Sequence, residues 1–395
     1  MTLLPYGRNA PLLALAQALY STSLMITVTL AGLVGAQLAP SPALSTLPLA
    51  LMMIGNIAVA GPVSLLMQRF GRRAGFTLGG GAAALGGIVC AYAVVWGSFA
   101  LFCAGTALVG VFQAASMYFR LAAADGVAPE RRGGAVSMVL TGGILAALIA
   151  PTLTLWTKDW WAPIPFAGSF LALSVLGLAT LVPVAVLAEH RGPGGGTGGG
   201  GRPMGVIVRQ PIFIAAAANV AVGQGVMILV MHATPLAMVG CGLTVGDAAG
   251  VIQWHVLGMY VPSFLTGRII NRTGAAPVAA LGAAVLAASA TVSAWDQSLP
   301  FFQAGLVLLG IGWNFMYVAG TTMLTQSHTA EERGRVQGMA EMAVAATGAV
   351  ASFASGGLIS QIGWTAVNVG MVPLLALAIA ATLWHLTQSA RLKAA

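Results

Sequence analysis

The sequence predicts an all-α integral membrane protein in which twelve transmembrane helices form two pseudo-symmetric halves of six. The first observation is composition: 58% of the 395 residues are hydrophobic and only 7% are charged, whereas a soluble domain carries roughly a quarter charged residues. The second is a recurrence of apolar runs of about 20 residues, each long enough to cross a hydrocarbon core as a helix. Their centres lie near residues 24, 57, 86, 110, 145, 174, 222, 260, 287, 312, 349 and 376.

The placement of positive charge is the third observation. The net charge is +8, and in the twelve-helix arrangement every arginine and lysine except Lys158 falls on one side of the membrane. This asymmetry is the positive-inside pattern, so both termini are expected in the cytoplasm and nucleic acid is not expected as a partner. The first apolar run is too long for a removable signal peptide and lacks its small-residue cleavage site. Three cysteines are too few for a disulfide framework.

A glycine-rich segment, RGPGGGTGGGGRP at residues 191–203, separates the two halves. It lacks the Gly-Lys-Ser/Thr ending of a phosphate-binding loop, so it predicts a flexible linker. The expected domains are residues 1–190, a cytoplasmic linker at 191–204, and residues 205–395. Two motifs recur about 200 residues apart, as duplicated halves require. They are QRFGRR at 68–73 with NRTG at 271–274, and ERRG at 130–133 with ERGR at 332–335.

Acidic residues are expected only in loops or at helix ends. The nine are Asp125, Glu130, Asp159, Glu189, Asp247, Asp296, Glu331, Glu332 and Glu341. The ionisable side chains left deep in the membrane are histidines, chiefly His255 and also His232. Because charge at this depth is retained mainly for function, we expect transport without a carboxylate proton relay, or with histidine in that role.

Two pairs of side chains form a candidate metal site. Met227 and Met231 lie four residues apart in the seventh apolar run, and His255 and Met259 lie four apart in the eighth, so each pair shares a helical face. Both pairs are expected at similar depth in consecutive helices, with Gln224 on the face of the two methionines. Neutral thioethers with one imidazole favour Cu(I) over Zn, Mn or Mg. Gap filling between helices is the alternative for the methionines.

Prolines stand beside both pairs. Pro235 offers no amide hydrogen to the carbonyl of Met231, and Pro262 offers none to that of Gly258. The sequence therefore predicts kinks or breaks that act as hinges next to the proposed ligands. His232 lies about 140° around the helix from Met227, so it is expected to point elsewhere.

Other polar side chains in the apolar runs are candidates for lining a central cavity. Helix–helix hydrogen bonding is the alternative for each of them. They are Tyr20, Ser23, Thr27, Gln113, Met117, Asn314, Tyr317 and Thr321.

The chain resembles the major facilitator superfamily over essentially its full length. In that family the loop after spans two and eight reads Gly-x-x-x-Asp-Arg-x-Gly-Arg/Lys-Arg/Lys and helps to close the cytoplasmic side. The matching positions are Arg69, Gly71, Arg72 and Arg73 in the first copy, and Gly267, Arg272 and Gly274 in the second. The acidic position is Gln68 in one copy and Asn271 in the other, so gating would rest on neutral hydrogen bonds and the arginines. The family's antiporter signature is degraded because Pro151 follows Ala150.

Within that superfamily the chain resembles the CcoA-type bacterial copper importers, whose MxxxM and HxxxM motifs match Met227, Met231, His255 and Met259. The resemblance implies a carrier of the bacterial inner membrane, and we expect the protein to be a monomer and not an enzyme. Copper would be its cargo, with no resident cofactor, for the assembly of cbb3-type cytochrome oxidase. Copper chaperones are expected as partners beside the lipid bilayer, and Cys241 as an accessory thiol. The alternatives are a carrier of a small organic solute and a membrane protein that holds copper without moving it.

Overall fold

The computed structural model describes residues 8–125, 127–128, 132–188, 201–329 and 331–394, and within these ranges it contains helices and no strand. The chain divides into two compact units, residues 1–194 with 244–253, and residues 195–243 with 254–395. Residues 189–200, which include most of the predicted linker, and the motif residues Glu130 and Arg131 lie outside the described residues. The predicted linker boundaries therefore stay a prediction.

Before the glycine-rich segment, the chain forms seven α-helices and one 3₁₀ turn in the described ranges. They are α1 (Asn9–Leu38), the turn Pro42–Leu44, α2 (Leu47–Phe70), α3 (Arg72–Trp96), α4 (Phe99–Ser116), α5 (Phe119–Asp125), α6 (Arg132–Thr157) and α7 (Ala167–Ala185). After it come α8 (Met204–Ile207), α9 (Pro211–Gly240), α10 (Val245–Tyr260), α11 (Ser263–Thr273), α12 (Ala275–Trp295), α13 (Leu299–Gln326), α14 (Arg333–Val369) and α15 (Val372–Ala394).

Ten segments of the described chain are long and apolar enough to cross a membrane. The last, Arg335–Ser389, covers most of α14 and most of α15. The eighth predicted run corresponds to α10 and α11, each of which is too short to qualify alone because the helix is interrupted between Tyr260 and Ser263. The predicted all-α membrane fold class is therefore confirmed. One expectation needs correction: Glu341 lies more than two turns inside α14, on an exposed surface, and not at a helix end.

The two copies of the loop motif share one backbone conformation. Gly71, between α2 and α3, has φ 90° and ψ 165°, and Gly274, between α11 and α12, has φ 90° and ψ 161°. Steric clashes keep residues with a side chain out of this region, so glycine is needed at both positions. The sequence repeat is thus also a structural repeat.

Helices approach each other closely where glycines cross. In the first unit, a Cβ added to Gly110 of α4 would lie 2.2 Å from the carbonyl oxygen of Met52 in α2. In the second unit, a Cβ on Gly310 of α13 would lie 2.4 Å from the carbonyl oxygen of His255 in α10. Such contacts are typical of membrane helices, which pack through small residues. The crossing of α10 with α13 places His255 and Met259 against α13.

Candidate functional site

The site begins at His255, a fully buried side chain of α10. Its Nδ1 lies 2.9 Å from the carbonyl oxygen of Leu306 in α13. A carbonyl can only accept, so Nδ1 carries the hydrogen, and in the neutral ring Nε2 is an acceptor. Nε2 is buried and makes no hydrogen bond to the described residues. His255 therefore has one buried ring nitrogen that no described residue uses.

A different side of α13 packs on α9. Gly223 of α9 faces Met316, and Gly320 faces Val220, so small residues again set the distance between the helices. One turn away, the indole nitrogen of Trp313 donates to Oε1 of Gln224 at 2.9 Å. This bond joins a predicted site residue to an aromatic side chain that the sequence did not single out.

Trp313 and Tyr317 form a stacked aromatic pair on α13, with ring centroids 4.8 Å apart and planes at 18°. Both are half-buried. Their face of α13 lies between its contacts with α9 and its contacts with α10 and α11. Tyr317 was among the predicted cavity-lining residues, and the spacing of four residues is the signal that could have added Trp313.

The structure places the four proposed copper ligands on two helices that both pack against α13. Met227 is 5% exposed and Met259 is 8% exposed, while Met231 is half-buried. His255 turns its Nδ1 towards α13, and the helix of the two methionines meets α13 at Gly223 and Gln224. Consecutive helices thus share α13 as a neighbour. Among the described residues, no three His, Cys, Asp or Glu side chains form a cluster that could hold a metal.

His232, the histidine of α9, is part of a separate contact. Nδ1 of His232 lies 2.9 Å from Oγ of Ser352 in α14, and both residues are buried. On the same side of α9, Gly225 faces Thr347. His232 therefore faces α14, away from the surface of α9 that meets α13.

The two prolines differ in their effect on the backbone. Helix α9 continues through Pro235 to Gly240. By contrast, α10 ends at Tyr260 and α11 begins after Pro262. Cys241, the first residue after α9, donates its thiol to Oε1 of Gln297 at 3.0 Å and is exposed.

In the first unit, predicted polar residues lie between helices. Tyr20 is buried, and its ring packs at a right angle to that of Phe112, with the ring centroids 5.2 Å apart. Oε1 of Gln113 in α4 and Oδ1 of Asn56 in α2 are buried and accept no hydrogen bond from the described residues. Asn56 was not anticipated, although a lone asparagine within an apolar run is a signal that could have found it. These two amides are the unit's candidates for cargo contact.

The first predicted gating loop makes aromatic, main-chain and side-chain contacts. The guanidinium of Arg69 lies 5.2 Å from the ring of Phe70, and that of Arg72 lies 5.6 Å from the ring of Tyr118. Arg73 donates to the carbonyl of Leu187, and Nε2 of Gln68 lies 3.5 Å from Oγ of Ser64. In the second copy, Asn271 and Arg272 are exposed at the end of α11.

Comparison with known proteins identifies the family. The model of the Major Facilitator Superfamily matches residues 13–259 and 242–394. The chain is 39% identical over 374 residues to the riboflavin transporter RfnT of Brucella anthropi, covering 94% of each chain. It is 27% identical over 401 residues to YddS of Bacillus subtilis, an uncharacterized MFS-type transporter, covering 96% of this chain and 91% of that one.

A solved structure shows the same fold. It is a bacterial homolog of the human lysosomal transporter Spinster in an inward-facing and unoccupied conformation, with a TM-score of 0.65 at 15% identity over 98% of this chain and 96% of that one. None of these three names refers to copper, so the comparisons do not support the predicted resemblance to copper importers. With the family model covering most of the chain and two full-length relatives, the chain belongs to the major facilitator superfamily of transporters.

Proposed function

We propose that this protein carries a small organic solute across the membrane and that riboflavin, or a closely related flavin, is its cargo. The support is 39% identity, over 94% of the chain, to a protein named as a riboflavin transporter. The expected mechanism is alternating access between two six-helix halves. Its expected location is the bacterial inner membrane with both termini in the cytoplasm, as the arginine distribution indicates.

The observation that carries the proposal is the stacked pair Trp313 and Tyr317, half-buried on α13. A flavin presents a flat heteroaromatic ring, which stacks favourably on an indole or phenol. The edge of that ring carries hydrogen-bond donors and acceptors. The amide of Gln224, bonded to Trp313, and Nε2 of His255 supply complementary groups on the two helices that flank α13. A site with one aromatic surface and few polar contacts suits a carrier, because bound cargo must also leave.

The test is uptake of labelled riboflavin by cells that cannot make it and lack a carrier of their own. We expect uptake by the wild type, a loss of at least tenfold with Trp313→Ala, and no change with Trp295→Ala. Trp295 is the matched control because it is 80% exposed at the end of α12. A wild type that reaches the membrane but takes up no riboflavin would overturn the choice of cargo.

Copper is the second candidate cargo, favoured by one observation. Nε2 of His255 is buried and has no partner among the described residues, and an imidazole nitrogen with a free lone pair is the form that binds a metal. Uptake of radioactive copper should then be lost with His255→Ala and with Met227→Ala. It should persist with Met342→Ala, a methionine that is 68% exposed on α14. Normal copper uptake in the first two variants would leave the methionines as packing residues.

A further inference from the structure

The eighth membrane span is broken, and the break lies beside α13. Helix α10 ends at Tyr260, residues Val261 and Pro262 form a turn, and α11 begins at Ser263. A break inside a membrane leaves carbonyl groups without their helical partners, and such groups must find donors elsewhere in the protein. Where these carbonyls find donors shows what holds the break.

One orphaned carbonyl is bonded by a side chain from another helix. The carbonyl of Leu257 keeps its helical hydrogen bond, which it accepts from the backbone amide of Val261 at 2.9 Å. The carbonyl of Met259, two residues on, accepts from Nδ2 of Asn314 in α13 at 2.7 Å. An amide side chain here supplies the donor that a continuous helix would take from its own backbone.

Asn314 also bonds to the far side of the break. Its Nδ2 lies 2.6 Å from Oγ of Ser263. The hydroxyl of Thr266 lies 2.6 Å from Oδ1 of Asn314 and 2.9 Å from the carbonyl oxygen of Pro262. The Met259 carbonyl can only accept, so it determines which end of the amide is the nitrogen. Asn314 is 2% exposed. One buried side chain therefore ties the end of α10 to the first turn of α11.

The repeat within the chain provides an internal comparison. At Gly110, α4 approaches the carbonyl oxygen of Met52 and the backbone nitrogen of Asn56 in α2. At Gly310, α13 approaches the carbonyl oxygen of His255 and the backbone nitrogen of Met259 in α10 in the same way. Each residue of α2 therefore corresponds to the residue 203 positions later in α10 or α11. Each residue of α4 corresponds to the residue 200 positions later in α13.

The counterpart of Asn314 in this alignment is Ala114. The counterparts of Pro262, Ser263 and Thr266 are Val59, Ala60 and Val63. Helix α2 runs unbroken from Leu47 to Phe70 through these positions. The asparagine Asn314 is thus present beside the broken span α10–α11. Beside the continuous helix α2, the equivalent position is the apolar Ala114.

We propose that Asn314 is a positioning residue that holds the α10–α11 joint open at Val261 and Pro262, and that the transport cycle moves this joint. On one side of the joint, α10 carries His255; on the other, α11 leads to the loop at Arg272 and Gly274. Movement at the joint would connect the loop to the helix that carries His255. The proposal depends on the chain being a transporter and not on which cargo it carries.

The test is a double-mutant cycle in thermal unfolding of the purified protein. Asn314→Ala should lower the unfolding midpoint by several degrees, because it leaves the Met259 carbonyl without a donor. With Pro262→Ala the backbone can close, since the new alanine amide can donate to the Gly258 carbonyl and the Ser263 amide to that of Met259. In that background the loss caused by Asn314→Ala should shrink to less than half. Equal losses in both backgrounds would overturn the proposal.

A matched control separates this coupling from general destabilisation. Asn219 of α9 is equally buried and bonds to the carbonyl of Ala215 and the hydroxyl of Thr382, away from any break. The loss caused by Asn219→Ala should be the same with and without Pro262→Ala. If Asn314→Ala alone does not fold, a folded double variant supports the proposal, and a double variant that also fails to fold opposes it.

Transport provides the second readout, which packing alone would not change. The double variant Pro262→Ala with Asn314→Ala should fold and bind cargo, yet its maximal uptake rate should fall at least fivefold with an unchanged KM. Wild-type rates in the double variant would show that the cycle does not need the joint. If the wild type transports no riboflavin, the flavin assignment fails, while the unfolding cycle still decides the role of Asn314.

Discussion

Arg202 and Glu332 form a two-bond ion pair in the second unit. Nε of Arg202 lies 2.9 Å from Oε1 of Glu332, and a terminal nitrogen lies 2.8 Å from Oε2. The backbone amides of Arg202 and Thr329 donate to the same carboxylate at 2.7 and 3.0 Å. The pair fixes the end of the glycine-rich segment to the loop between α13 and α14.

The other end of that segment is also fixed, within the first unit. Asn9 exchanges two hydrogen bonds with the backbone of Ala188, its Nδ2 donating at 2.7 Å and its Oδ1 accepting at 2.9 Å. Each unit therefore holds its own end of the predicted linker, at Ala188 in the first unit and at Arg202 in the second.

Loss of the ion pair should destabilise the second unit. Glu332→Ala removes the acceptor for two backbone amides and for Arg202, and hydrogen bonds to a charged group are among the stronger ones. We expect the thermal unfolding midpoint to fall by several degrees. Glu331→Ala, which alters the exposed neighbour, is the control and should have a smaller effect. Equal effects of the two variants would contradict the anchoring role of Glu332.

The same contact predicts a dependence on pH. The side chain of Arg202, and then the Thr329 and Arg202 amides, hold the pKa of Glu332 well below its ordinary value of 4.5. A carboxyl whose pKa is lowered by folding stabilises the folded state above its unfolded pKa, and this stability is lost as pH falls towards the folded pKa. The midpoint should thus decrease below about pH 4.5 in the wild type. Glu332→Gln should show a shallower decrease, and identical pH profiles would refute the prediction.

Gly274 should not tolerate a side chain. Its backbone, at φ 90° and ψ 161°, is in a region that is essentially restricted to glycine. Gly274→Ala should destabilise the protein by about 1–3 kcal/mol, measured by denaturant or thermal unfolding. Gly267→Ala is the control: a Cβ there meets nothing within 4 Å, and alanine favours the helix by up to about 1 kcal/mol. A harmless Gly274→Ala would mean that the loop adopts another conformation.

Gly310 should be intolerant for a different reason. A Cβ at this position would lie 2.4 Å from the His255 carbonyl and 2.9 Å from the Met259 amide nitrogen. The two helices would have to separate, at a cost of about 1–3 kcal/mol, and uptake should fall because His255 moves with α10. Gly250→Ala, which has open space around it, should leave uptake unchanged and should not lower stability. Wild-type uptake by Gly310→Ala would show that the distance between α10 and α13 is unimportant for cargo.

The orientation in the membrane can be measured with fusions. Because the arginines lie on one side of the predicted spans, a fluorescent protein attached after Ala395 should fold and emit in the cytoplasm. Alkaline phosphatase at the same position should be inactive, since it needs the periplasm to form its disulfides. The opposite pattern would reverse the predicted topology.

The membrane architecture was predictable because the bilayer imposes strong and local constraints. A backbone inside the hydrocarbon must satisfy its own hydrogen bonds, so apolar runs of this length become helices, and the predicted runs correspond to the helices described. The repeated motif was visible for a similar reason. Gly71 and Gly274 occupy a conformation that other residues cannot adopt, so the same residue recurs in both halves.

The copper prediction shows the limit of spacing as evidence. Met227 with Met231, and His255 with Met259, share helical faces whether they bind a metal or fill space, because both roles use the same periodicity. A relative with 39% identity is named as a riboflavin transporter, and the proposal of an organic cargo rests on that similarity. The site proposed for that cargo centres on Trp313 and Tyr317, which carry no conspicuous motif.

The sequence by itself determined the class of protein, the order of its helices and the duplicated loops, since these follow from composition and from neighbours along the chain. Only the tertiary structure decided which distant groups meet. Asn314 bonds Met259 across 55 residues, and Arg202 reaches Glu332 across 130. A polar side chain in an apolar run must find a partner, but helix packing chooses which one.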